Sequence, residues 1–477
     1  MFSRQDRSNL SRTWRQSLLV VAFGGVLVML SSEAVHGSEF QLGKEHAEGV
    51  AGNNSAGHGD LTAVVFEQRV SGRGLYADLE DGFAVRSRDE NFELRLRLMQ
   101  QTDAKLFLPT RQKPARPGLY IPRFRVGFEG HLTESYEYEL SLQRSVEGVF
   151  DVLDASVTYR PAEAFQVTFG RFLVPYSYNW YDHLEQYFIA PERALFPLNF
   201  GLSRQAGLMF HGDLDEGTTH YAIGGFSGQL AGVADTNTTR SVVGYVNWRP
   251  FLKNGYSCLR YLNIGASGSV GHQPYAGETL PLRTSVQASE NDEAANAASS
   301  IFLEFEDDVE IQGGRSSAAA HFALYSGSLS LESEVQYGSF QVRNPTGQPY
   351  LDAWGYHVAL SYFVTGEEVT DRSAVAPLGR FDPAAGEYGC GAIEPFCRFS
   401  QLSIDDTVFT NGLADQNNWA RRVSLIDIGW NWYPNEFVKL YLDWQVALFG
   451  SPVLIDEPTD RHVGQSHTLW ARAQISF

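Results

Sequence analysis

The chain has 477 residues, of which 43% are apolar, 13% aromatic and 19% charged, and its formal net charge is −19. That acidic balance excludes nucleic acid as a partner, because phosphate backbones call for a basic field. Three cysteines exclude a disulfide scaffold and an all-thiolate zinc centre, and the aromatic content excludes a disordered chain.

The first segment has the form of a secretory leader. Arg4, Arg7, Arg12 and Arg15 precede a 13-residue apolar run from Leu18 to Leu30, and small residues follow at Ser31, Ser32, Ala34 and Gly37. A basic region, a short apolar region and a small-residue cut describe a signal peptide over residues 1–37. Thirteen residues fall short of a helical membrane span, and no other stretch is as long and as apolar as a span needs. Residues 38–90 are polar and glycine-rich, as in Val50-Ala-Gly-Asn-Asn-Ser-Ala-Gly-His-Gly59, and read as a flexible periplasmic arm. His46 and His58 in that arm read as solvated side chains.

From residue 91 the pattern alternates with period two. Phe92, Leu94, Leu96 and Leu98 alternate with Glu93, Arg95 and Arg97. Phe124, Val126 and Phe128 alternate with Arg123, Arg125, Gly127 and Glu129. The same rule holds from Tyr136 to Gln143, from Leu153 to Tyr159 and from Val438 to Leu448. Successive side chains on a strand face opposite sides of the sheet, so each strand has an apolar and a polar face. A soluble sandwich alternates too. Three features favour a membrane barrel: strands near ten residues, aromatics at strand ends (Tyr136, Tyr159, Trp248, Trp432, Tyr433, Trp470), and a final alternating strand from Leu469 to Phe477. The fold class predicted is all-β, a transmembrane antiparallel β-barrel over residues 91–477.

Strands are expected at 91–99, 120–131, 135–145, 152–160, 165–171, 204–211, 219–226, 240–249, 259–271, 317–325, 328–341, 353–364, 395–405, 421–434, 436–449 and 466–477. That is a sixteen-strand barrel, the even number required when both ends lie in the periplasm. Short turns fall at even-to-odd connections, except for the long segment 365–394. An extra hairpin from 279–289 and 300–306 would make eighteen. The third external connection, 172–203, holds nine aromatic residues, from Phe172 to Phe200. Such a loop is too apolar for water, which predicts that it folds into the lumen and narrows the pore, or packs on a neighbouring subunit.

Several segments resemble the phosphate-selective porin O and P family over about residues 90–477. They are Ile121-Pro-Arg-Phe-Arg-Val-Gly-Phe-Glu-Gly130, Tyr136-Glu-Tyr-Glu-Leu140, Phe165-Gln-Val-Thr-Phe-Gly-Arg-Phe-Leu-Val-Pro175, Pro191-Glu-Arg193 with Arg204-Gln-Ala-Gly207, Ser361-Tyr-Phe-Val-Thr-Gly-Glu367 and Gly429-Trp-Asn-Trp-Tyr-Pro-Asn435. The resemblance implies a sixteen-stranded porin of the bacterial outer membrane, usually a homotrimer, with its third external loop in the channel. It implies passage of small anions such as phosphate along pore-lining arginines, although the family name alone does not establish phosphate for each member.

The expected function is therefore passive diffusion of small solutes across the outer membrane, with inorganic or organic anions and membrane lipid as partners. By alternation, Arg95, Arg97, Arg123, Arg125, Lys439 and Arg472 face the lumen. Arg193 lies in the long loop and Arg204 at its exit. Guanidinium forks hold oxyanions bidentately and keep their charge, so a row of them can hand an anion along. The competing reading pairs them with inward acids such as Glu93, Glu129, Glu137 and Glu139, as braces of the wall. Residues 91–205 hold 13 basic and 13 acidic residues, so the chain's overall acidity does not decide the field at a constriction. A general porin with weak cation preference and a structural or adhesive barrel remain as rivals. No catalytic residues, metal ligands or cofactor are expected: among twelve histidines no His-Glu-x-x-His occurs, and there is no Gly-x-Ser-x-Gly. Cys390 and Cys397 are close enough in sequence for a disulfide pinning 365–394.

Overall fold

The computed structural model describes residues 69–70, 73–78, 83–89, 91–109, 114–145, 150–228, 240–253, 258–286, 297–456 and 459–477. The expected leader, 1–37, and residues 38–68 of the arm lie outside the described residues.

Sixteen strands form one wall: β1 Glu93–Leu108, β2 Gly118–Thr133, β3 Tyr136–Ser145, β4 Phe150–Ala162, β5 Phe165–Leu173, β6 Arg204–Leu214, β7 Thr219–Phe226 and β8 Arg240–Trp248, then β9 Tyr261–Glu278, β10 Glu310–Ser326, β11 Leu329–Arg343, β12 Tyr350–Tyr362, β13 Ala392–Ile404, β14 Arg422–Asn435, β15 Val438–Asp456 and β16 Arg461–Ser476. Each pairs antiparallel with the next. The sheet closes where β16 pairs with β1, from Ser476 opposite Met99 to His467 opposite Leu108. Closure removes the unpaired edges that hydrocarbon could not tolerate.

Alternation decides which side chain meets lipid. On β15, Leu442 and Trp444 point outward and are 49% and 45% exposed, while Lys439, Tyr441, Asp443 and Gln445 between them are buried. Val242 and Val246 on β8 and Val358 and Leu360 on β12 are exposed in the same way. An apolar outside around a charged inside is inverted for water and right for a bilayer.

The hairpin of 282–283 with 301–303 forms a separate ladder inside the loop between β9 and β10, so the wall has sixteen strands and not eighteen. Two aromatics expected in the interfacial girdle instead face inward: Trp470 is 1% exposed with Lys105 over its ring, and the Tyr433 hydroxyl donates to Glu394. Parity explains both, since Arg472 and Asn431, two residues away, also point inside. Part of the segment expected to be an arm is built into the sheet. Short strands lie at Arg69–Val70, Arg73–Asp78 and Phe83–Ser87, and the last pairs with Glu93–Leu96. It occupies the flank of β1 that lies beyond the reach of β16.

Candidate functional site

The connection between β5 and β6, residues 174–203, makes its contacts with inward-facing side chains. Two short helices, α1 Tyr178–Tyr181 and α2 Leu195–Phe200, carry its apolar residues. Val174, Tyr176, Leu195 and Phe196 are all at most 1% exposed. Tyr176 and Tyr178 pack with Met209, Phe226, Tyr245 and Tyr325 on β6, β7, β8 and β10. Leu195 and Phe196 pack with Leu351 and Leu402 on β12 and β13 and with Phe302 and Leu303 of the β9–β10 loop. The aromatic richness of the segment is thus used in apolar burial.

Polar bonds tie the same segment to the wall. The Glu334 carboxylate on β11 accepts from Ser177 Oγ at 2.9 Å and from the Tyr178 amide at 2.8 Å. Ser400 Oγ on β13 accepts from the Leu195 amide at 3.0 Å. Asn431 on β14 donates to the Ile189 carbonyl at 2.9 Å, and Lys439 on β15 donates to the Phe188 carbonyl at 2.6 Å. Gln474 on β16 donates to the Gln186 carbonyl at 3.0 Å.

The predicted arginines converge on two carboxylates of this loop. Arg123 grips Glu192 with both terminal nitrogens at 2.7 Å, and Arg472 donates to the same carboxylate at 2.8 Å. Arg472 also holds Asp103 bidentately at 2.6 and 2.9 Å and donates to the Pro191 carbonyl. Glu185 accepts from Arg125 at 3.2 Å and from Arg193 at 3.2 Å, with Arg204 at 3.8 Å. Arg204 pairs more closely with Asp154, at 2.8 Å. Arg193 lies over the Trp180 ring at 4.0 Å and donates to the Asn179 carbonyl. Lys439 makes no ion pair among the described residues and sits 4.0 Å from the Tyr441 ring centre. Arg95 and Arg97 stand apart from this cluster: Arg95 pairs with Glu93 at 3.0 Å and lies 3.9 Å from Glu129, which Arg97 holds at 2.9 Å.

Electrostatics follow from this crowding of guanidinia. Burial raises the Glu192 carboxyl, but Arg123 and Arg472 outweigh it and hold the group down at about 2. Burial likewise opposes ionisation of Glu185, and Arg125, Arg193 and Arg204 outweigh it, so its carboxyl lies well below the usual range. Both loop carboxylates are therefore ionised at neutral pH. His183 goes the other way: burial, with Arg372 and Arg193 nearby, lowers it to about 3, so it is neutral. Its Nε2 lies 3.4 Å from the Tyr325 hydroxyl.

Several partners escaped the sequence reading. Glu185 and Glu192 sit in a loop judged by its aromatics, and no pattern there singles out two acids. Lys105 lies beyond the strand end expected at residue 99; it donates to the Ala298 carbonyl at 2.9 Å. Arg398 on β13 pairs with Asp427 at 2.8 Å and donates to the Glu192 carbonyl, and alternation along that strand could have found it. Arg372 belongs to the segment between β12 and β13. It pairs with Glu394 at 2.6 Å and donates to the Tyr187 carbonyl at 3.0 Å, so this long turn also reaches the loop. His357 on β12 is also buried, 3% exposed.

The expected disulfide is not formed: Cys390 and Cys397 are both free and exposed. Cys397 lies outward on β13, which runs extended from Ala392, and Cys390 precedes the strand, seven residues away. At about 3.3 Å per residue that separation is roughly 20 Å, several times what a disulfide spans. Among the described residues no group of three or more His, Cys, Asp or Glu is placed to hold a metal ion.

A closed antiparallel barrel with an apolar outer face and a charged interior crossed by bonds to a long loop defines an outer-membrane channel of the porin class. The family model of phosphate-selective porin O and P matches residues 92–446, and the chain belongs to that family. Its location is the bacterial outer membrane. No curated protein matches the sequence. Among solved structures, the outer membrane channel DcaP of Acinetobacter baumannii has 9% identity and a TM-score of 0.50, over 82% of this chain and 99% of that one. An anion-selective porin from Comamonas acidovorans has 13% identity and a TM-score of 0.48, over 80% of this chain and 99% of that one. OmpT of Vibrio cholerae, in its trimer form, has 10% identity and a TM-score of 0.48, over 80% and 99%. At such identities the likeness is one of fold alone.

Proposed function

We propose that this channel passes small anions, phosphate among them, and that the 174–203 loop with Arg123, Arg125, Arg193, Arg204 and Arg472 forms its constriction. One observation carries the reading. Two carboxylates, those of Glu185 and Glu192, are each held by more than one guanidinium, so the constriction is built to bind oxyanions. An anion in transit competes with these tethered carboxylates for the same forks. Moderate, shared binding of this kind allows release as well as capture. Lys105 and Lys439 point into the same interior and donate to carbonyl oxygens rather than to acids. Membership of this family, whose resemblance implies a homotrimer, extends the proposal to that assembly.

A second reading, a general porin with weak cation preference, draws on Glu332 and Glu334, which face the interior from β11. Purified protein in planar bilayers under a salt gradient separates the two. The anion reading expects an anion-directed reversal potential, blocked by phosphate and reduced in Arg123→Ala with Arg125→Ala. Deleting Tyr176–Pro191 should raise single-channel conductance. A cation-directed potential, or variants identical to the parent, would overturn it.

A further inference from the structure

At the end of the barrel that carries the short turns, a cavity of about 340 Å³ lies beneath the loop. That volume falls within the roughly 300–1,000 Å³ of small-molecule sites. Its charged lining includes Arg95 and Arg97 on β1, Arg125 and Glu129 on β2, Glu139 on β3, Asp154 on β4 and Arg204 on β6; Arg204 is engaged by Asp154 and Arg125 by Glu185. On β1, Arg95 pairs with Glu93 at 3.0 Å and Arg97 with Glu129 at 2.9 Å, and they keep 30% and 43% of their side-chain surface exposed. Two strands away on β3, Glu139 lines the same cavity, is exposed, and makes no ion pair or hydrogen bond among the described residues. The register sets Glu129 directly opposite Glu139 and Gly127 opposite both Arg97 and Ser141. Gly127 carries no side chain, so the wall dips between the basic and the acidic side. Strands ~4.8 Å apart put β1 and β3 about 10 Å from each other, a gap that a long guanidinium stem and a carboxylate can narrow around a small solute. Leu184 and Tyr187 of the loop supply an apolar roof.

We propose that this vestibule is a binding site for a zwitterionic amino-carboxylate with an apolar side chain. Its carboxylate meets Arg95 and Arg97, its ammonium meets Glu139, and its side chain lies against Leu184 and Tyr187. This deepens the channel reading above, since it names a solute class and a stopping point on the same route. A pure oxyanion would satisfy the arginines and leave Glu139 facing it, which costs like-charge repulsion.

The test uses L-phenylalanine as probe, with N-acetyl-phenylalanine and phenylalanine amide as single-charge analogues. Binding to the folded protein in detergent is measured by calorimetry, and block of single-channel current is measured from the periplasmic side. Phenylalanine should act at about tenfold lower concentration than either analogue, the worth of one charge-assisted hydrogen bond. Glu139→Gln should erase its advantage over N-acetyl-phenylalanine, and Glu139→Asp should keep part of it. Heat-modifiable gel mobility shows that each variant is folded. Equal potency of the N-acetyl analogue in the parent protein, or an unchanged preference in folded Glu139→Gln, would overturn the site. A calorimetric preference without conductance would sink the channel reading and leave the site standing.

Discussion

Glu192→Gln keeps the shape of a side chain that two arginines grip and removes its charge. Burial raises its carboxyl, but Arg123 and Arg472 bring it from the ordinary 4.5 down to about 2. At 1.36 kcal/mol per unit, that is about 3 kcal/mol favouring the ionised, docked loop over the free one. The sign follows from a depressed acid: the contribution is complete above pH ~4.5 and disappears as pH falls toward 2. The amide loses it at every pH. Losing about 3 kcal/mol lowers the ratio of docked to undocked loop by about two orders of magnitude. It also leaves Arg123 without its acid, while Arg472 keeps Asp103. Two effects are therefore expected in planar bilayers: noisier or larger single-channel currents, and a reversal potential shifted further toward anions. A reversal potential and current identical to the parent would show that Glu192 lies off the permeation route, and the proposed constriction would fall with it.

The loop should have a pH window. Burial, against a hydrogen bond from Tyr245, raises Asp182 to about 6, so its contribution to docking is full below ~3.8 and is lost as pH rises through about 6. Glu185 and Glu192 act in the opposite sense, and the Glu192 contribution is complete above about pH 4.5, so open-channel noise should be lowest near pH 4 and rise both toward pH 2 and toward pH 6; a flat profile from pH 3 to 8 would refute this. Leu442→Arg places a charge on the outward face of β15 and should cost about 2–4 kcal/mol near the bilayer midplane, read as a lower denaturant midpoint in refolding into lipid vesicles. An unchanged midpoint would mean that this face does not meet lipid. Both Cys390 and Cys397 should react with a maleimide in the detergent-unfolded chain without prior reduction; in intact outer membranes Cys397, on the outward face of the wall, should be slower than Cys390. A mobility change on reduction would contradict the free thiols.

Much of this molecule was decided by local chemistry. The alternation of Leu440, Leu442 and Trp444 with Lys439, Tyr441 and Asp443 assigns lipid and lumen faces within one strand, because a side chain's direction depends only on its parity. Short turns such as those before Tyr136 and Val438 give strand number and parity for the same reason. The aromatic content of 172–203 announces that this loop must be covered, since apolar surface in water is costly wherever it occurs. What covers it, and what the arginines do, depends on distance in sequence that no local pattern encodes. Arg123 meets a carboxylate 69 residues away and Arg472 meets the same one 280 residues away. Arg372, read as part of a periplasmic turn, reaches a carbonyl 185 residues distant. A guanidinium that faces a lumen is equally ready for a solute, for a wall acid or for a loop acid, and only the tertiary contacts of the closed barrel select among them. Tyr433 and Trp470 make the same point for aromatics. Their type suits an interfacial girdle, but their place in the register, opposite Ala392 and Lys105, puts them inside with Glu394 and the Lys105 ammonium as neighbours.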